Sequence, residues 1–183
     1  ILPEEVLKEA SKAVINFNND NLSLIEISHR SKPFINVMNN AKDLVRELLN
    51  IPQDYSILFL QGGASLEFLM VPFNLMKING NASYLNTGVW SRKAIQEAKD
   101  FGKVSIIGDS SDKNFNYIPK NYEIPNNIDY FHCTSNNTIY GTQIKNFPIC
   151  KTHLVCDMSS DIFSRKIDVR KFGFIKFLDN KNL

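Results

Sequence analysis

The chain has 183 residues, 43% of them hydrophobic and 22% charged, and its 21 basic against 19 acidic side chains leave a net charge of +2. Those values fit one globular domain with a sizeable core, and they give no electrostatic case for a nucleic acid or an anionic membrane as partner. No apolar run approaches a bilayer span, and the three cysteines (Cys133, Cys150 and Cys156) form no CxxC pair, which argues against a disulfide scaffold and fits a reducing cytoplasm.

The first residues, ILPEEVLKEA, carry acids where a signal peptide has bases. They read instead as a helix start. Pro3 suits the first turn, and Glu4 and Glu5 face the positive end of the dipole. Val6, Ala10, Val14 and Phe17 follow at near-helical spacing, and the asparagine-rich residues 16–21 end the helix. A second helix is expected over residues 31–49. Its apolar face holds Phe34, Val37, Met38, Ala41, Val45 and Leu48, and Pro33 falls in the first turn.

The pattern then changes. Residues 56–60 (SILFL) read as a strand buried on both faces. Gln61-Gly62-Gly63-Ala64-Ser65 leads into a helix over 66–76, which Pro72 is expected to kink or shorten. Strands are expected over 82–86, 104–107, 128–133 and 153–156, with another over 172–177. A helix is expected over 89–101 and mostly loop over 108–127. Strands alternating with helices imply a mostly parallel sheet covered on both faces. No composition shift divides the chain.

In open α/β sheets ligands sit at the carboxyl ends of strands, and four such ends are polar here. Gln61–Ser65 places glycines and a helix N-terminus where a phosphate can be held, or simply makes a tight turn. It is neither a Walker motif nor GxGxxG. Trp90, the only tryptophan, follows a strand–glycine turn and offers either a stacking surface or a core aromatic. His132-Cys133-Thr134-Ser135-Asn136-Asn137-Thr138 is either a rich hydrogen-bonding set for a ligand or a capped turn. Asp157 ends an apolar run, where a buried carboxylate needs a partner such as a metal, an arginine or a protonated heterocycle nitrogen. Its other role is a helix N-cap. His29-Arg30, outside the sheet, either grips a phosphate or carboxylate or is an exposed loop pair. Three scattered histidines without HExxH or CxxC give no zinc-site spacing, and GxSxG is absent.

In combination these stretches resemble the phosphoserine aminotransferases, a family of pyridoxal 5′-phosphate (PLP) enzymes. The matching segments are ILPEEVL, IEISHRSKPF, LLNIP, LFLQGGASLEF, MVPFNL, TGVWSRKAIQEAK, TSNNTIYG, CDMSSDIFSR and IDVRKFG, in family order over almost the whole chain. The resemblance implies the aspartate-aminotransferase fold (PLP fold type I): the large, cofactor-binding domain of a cytoplasmic homodimer, with the C-terminal small domain absent. It implies that Ala64 and Ser65 hold the PLP phosphate, that Trp90 stacks on the ring and that Thr138 lies in the hydrogen-bonding shell. It further implies that Asp157 pairs with the ring nitrogen, and that His29 and Arg30 bind the anionic substrate. The implied reaction moves an amino group between L-glutamate and 3-phosphohydroxypyruvate in serine biosynthesis, or the analogous phosphorylated 2-oxo acid of pyridoxine biosynthesis.

The match departs from the family at its end. The family reads about FG-x-I-Y-A-G-A-Q-K-N, where this chain reads FGFIKFLDNKN. Gapless alignment puts Lys181 at the Schiff-base lysine and Asn180 at the glutamine before it, while Phe177-Leu178-Asp179 replaces the small Ala-Gly-Ala. The other reading of the chain is a catalytically incomplete fragment that at most binds PLP or a partner chain. A nucleotide-binding module built on residues 62–65 is a third.

Overall fold

The computed structural model describes residues 2–177. It divides into two compact units, one formed by the chain up to Ile57 and one beginning at Leu58.

The first unit is helical. Helix α1 (Glu4–Ile15) opens with Glu4 and Glu5, and Lys8 reaches back to Glu4 at 2.7 Å. It stops at Asn16, whose backbone turns extended. Asn18, Asn19 and Asn21 then take positive φ, which asparagine tolerates better than most residues. Helix α2 (Lys32–Leu48) is capped by Ser31, whose Oγ accepts the Phe34 N–H, and Pro33 lies in its first turn as expected. After it, the Arg46 guanidinium donates to the carbonyls of Ile51, Pro52 and Tyr55 and so ties down the exit. Neither helix has a buried residue, although each carries an apolar stripe.

The second unit is a parallel sheet with helices. Helix α3 (Gly63–Leu75) starts earlier than the apolar pattern alone suggested. It runs on past Pro72, because a proline so near the end removes a single helical bond. Then come β1 (Asn81–Asn86), α4 (Val89–Ala98), β2 (Lys103–Asp109), β3 (Tyr130–Thr134), β4 (Asn136–Asn137), β5 (Thr142–Gln143), β6 (His153–Asp157) and β7 (Phe174–Lys176). The main sheet has the order β2-β1-β3-β6-β7, and every pair in it is parallel. Strands β4 and β5 form a small antiparallel hairpin.

Side chains alternate across the sheet. Tyr84, Tyr130 and Val155 point toward α3 and α4 and pack with Phe68, Val71, Ala94, Ile95 and Ala98. Leu85, Phe131, Cys133, Leu154 and Cys156 point the other way and pack with Ile144, Met158 and Phe172. Each fully buried large apolar side chain contributes about 1.5–3 kcal/mol.

One expected strand is missing. Residues 56–60 form no strand, and Leu58, Phe59 and Leu60 are exposed. An apolar run becomes a strand only where a neighbour completes its ladder, and no described strand pairs with this one.

Candidate active site

The carboxyl ends of β1, β3, β6 and β7 converge with the N-termini of α3 and α4. Gly62 has φ +106°, and Gly63 has φ +62°. Their left-handed backbone turns the chain into α3 without a side-chain cap. The first N–H groups of that helix, at Gly63, Ala64 and Ser65, lack intrahelical acceptors by geometry, and the helix dipole adds to their pull on an anion. Ala64 is half-buried against the core and Ser65 is exposed.

Trp90 stands in the first turn of α4, half-buried against the same core as Ala64, with the Lys93 ammonium 5.0 Å from its ring centre. The turn before it is held by Ser91, whose Oγ accepts the N–H groups of Thr87 and Gly88 at 2.9 and 3.0 Å. Thr87 in turn exchanges hydrogen bonds with the buried amide of Asn137. Thr138, the next residue, is exposed.

Asp157 is 4% exposed at the end of β6. Its Oδ1 accepts the Ser159 N–H at 3.0 Å and the Ser159 hydroxyl at 2.7 Å, so the side chain caps its own turn. Its Oδ2 lies 3.0 Å from the Lys176 ammonium. Burial alone would raise its pKa, but Lys176 and Ser159 outweigh that and hold it below the usual carboxylate value.

Lys176 is a residue that the sequence reading passed over. It is 2% exposed at the end of β7, directly across from Asp157. Its ammonium rests 3.8 Å from the centre of the Phe68 ring and 3.8 Å from Glu67 Oε2. Burial raises the Glu67 pKa; Lys176 opposes that and Asp157 adds to it. A lysine inside an otherwise apolar strand was the available signal.

His132 lies beside the ion pair of Asp157 and Lys176. It is buried, stacks on Tyr84 at 4.9 Å, and neither ring nitrogen has a hydrogen-bond partner among the described residues. Burial pushes its pKa down to about 3; Asp157 opposes the shift and Lys176 reinforces it. Next to it, the hydroxyls of Tyr84 and Tyr130 meet at 2.5 Å.

The structure thus gathers Ala64, Trp90 and Asp157 at one sheet edge, with Thr138 nearby in sequence to the Asn137 anchor. His29 and Arg30 are exposed in the turn before α2, in the first unit. Asn180 and Lys181 lie outside the described residues. Among the described residues no three His, Cys, Asp or Glu side chains group as metal ligands, and no helix is long and apolar enough to cross a membrane.

Known proteins share this architecture. A family model, aminotransferase class-V, matches residues 1–182. Phosphoserine aminotransferases from Flavobacterium johnsoniae and Parabacteroides distasonis are 59% and 54% identical to the whole chain. The chain spans about half the length of these curated relatives, 52% and 51%. Among solved structures, phosphoserine aminotransferase from Bacillus circulans superposes on 97% of the chain with TM-score 0.92 and 39% identity, over 50% of its own length. The PLP-bound phosphoserine aminotransferase from Trichomonas vaginalis covers 100% of the chain at TM-score 0.91 and 34% identity, over 52% of its own length. The matched length and the sheet with its polar strand ends place the chain in the aminotransferase class-V family.

Proposed function

We propose that this chain is the cofactor-binding part of a PLP-dependent phosphoserine aminotransferase, which exchanges an amino group between L-glutamate and 3-phosphohydroxypyruvate. The analogous phosphorylated 2-oxo acid of pyridoxine biosynthesis is the alternative substrate, and the setting is a cytoplasmic homodimer. The observation that carries the reading is the uncapped glycine turn at Gly62–Gly63, which suits the phosphate of PLP, together with a buried, charged Asp157 at the end of β6.

The residues fit the phosphate and the ring face of the group. A phosphate would be held by the N–H groups of Gly63, Ala64 and Ser65. Trp90 offers a ring for stacking, and Asp157 is the carboxylate that the family resemblance assigns to the cofactor nitrogen. When bound, PLP supplies an electron-accepting ring that eases removal of the amino acid's α-proton. Arg30, with His29 beside it, would grip the substrate's anionic group. Thr138 and Asn180 would add hydrogen bonds around the cofactor, and Lys181 is the amine assigned to hold it and to move the proton. The exposed apolar stripes of α1 and α2 support burial against a second copy.

The test is PLP addition, borohydride reduction and intact-mass measurement. One phosphopyridoxyl adduct, lost in Lys181→Ala, is the expected outcome. No specific adduct would leave an incomplete fragment with the family's ancestry.

A further inference from the structure

Asp157 does not wait for a cation; it already has one. Lys176 Nζ lies 3.0 Å from Asp157 Oδ2, and the remaining Asp157 oxygen is taken up by Ser159. Lys176 is held in place on several sides. The Phe68 ring lies 3.8 Å away, Glu67 Oε2 stands at 3.8 Å, and the Lys176 carbonyl accepts the Met158 N–H at 2.8 Å. Both partners of the ion pair are almost completely buried. A second cation brought to the same carboxylate would meet a desolvated ammonium at close range, and like charges repel strongly where water is excluded.

We propose that Lys176 is a tethered counter-ion occupying the carboxylate that a cofactor ring nitrogen would use, so that this chain holds a phosphorylated pyridine through its phosphate turn while its ring nitrogen adds nothing. The inference rests on the PLP reading above and concerns which cation Asp157 serves. Glu67, the other acid in reach, does not replace Asp157. It contacts the same ammonium and lies on α3 rather than at the strand end.

The experiment measures binding of pyridoxine 5′-phosphate and of its analogue with carbon in place of the ring nitrogen. Neither has an aldehyde to react with surface lysines. Equilibrium dialysis is run on the wild-type chain and on Lys176→Met. The wild-type chain is expected to bind the two compounds within about twofold of each other. Lys176→Met is expected to prefer the pyridine by about tenfold or more, the worth of one charge-assisted hydrogen bond. A wild-type chain that already prefers the pyridine tenfold overturns the proposal, and this arm decides the case even where Lys176→Met does not fold. Equal binding by both chains also overturns it while leaving the phosphate turn, and the cofactor reading, standing. No binding of either compound by either chain overturns the cofactor reading itself, and the proposal with it.

Discussion

Two buried aspartates stand four residues apart, Asp157 at the end of β6 and Asp161 in the loop that follows, and they behave differently. Asp161 is enclosed by donors from three neighbouring segments. The Ser135 hydroxyl, the Gln143 amide at 3.2 Å and the Arg165 guanidinium at 3.3 Å all reach it. Arg165 also donates to the carbonyls of Ile144 and Lys145, so the cluster clasps the hairpin of β4 and β5 to the loop after β6. Asp157 has one local partner, Ser159, and one charge from another strand, Lys176. A carboxylate saturated by neighbouring hydrogen-bond donors is structural. A carboxylate whose charge is met by a single cation from a neighbouring strand, at the strand ends, has the makings of a site.

The largest expected effect separates these cases. Lys176→Met leaves Asp157 buried without its counter-charge and should cost about 3–5 kcal/mol. Lys176→Met combined with Asp157→Asn should recover most of that loss, since the uncompensated charge is gone. Urea unfolding of both chains checks this, and a single-variant loss below about 1 kcal/mol would show that water reaches Asp157. Next, Asp161→Asn keeps the shape but loses the charged hydrogen bonds, for about 1.5–3 kcal/mol. The same unfolding assay reads it, with pyridoxine 5′-phosphate binding unchanged. Loss of binding would place Asp161 in the site after all.

The smallest effect, taken per unit of pH, belongs to His132, which senses Asp157 and Lys176. Its folded pKa of about 3 lies below the ordinary histidine value of 6.5. Between those values the unfolded chain binds the proton and the folded chain does not. Stability therefore falls as pH drops from 6.5 toward 3, by up to about 1.4 kcal/mol per unit. Asp157, with its lowered pKa, adds a further loss only below the usual carboxylate range. Thermal melts across this window should show the slope in the wild-type chain and a flatter one in His132→Gln. Equal slopes would mean that the His132 ring takes up its proton in the folded chain.

Much of the site was legible in the residues. The glycines at 62 and 63, the polar run after β3 and the aspartate ending β6 are local signals, because each depends on what the backbone must do at that point. Lys176 was not legible as a site residue. Its position in an apolar strand marks it as unusual, but that strand's register against β6 is what sets it across from Asp157. His132 was legible as part of a polar strand end, yet its stacking on Tyr84 depends on β1 lying next to β3.

The sequence by itself determined the alternation of strands and helices, the proline in the first turn of α2, the glycine turn at 62–63, and the strand ends where polar side chains collect. Those follow from periodicity and from the backbone preferences of single residues. The tertiary structure decided what needs a neighbour. Residues 56–60 have the composition of a buried strand and are none, since no described strand pairs with them. Whether Asp157 faces solvent, a ligand or a lysine depends on which strand lies beside β6. Pairing between distant strands is a property of the packed sheet, and no local pattern encodes it.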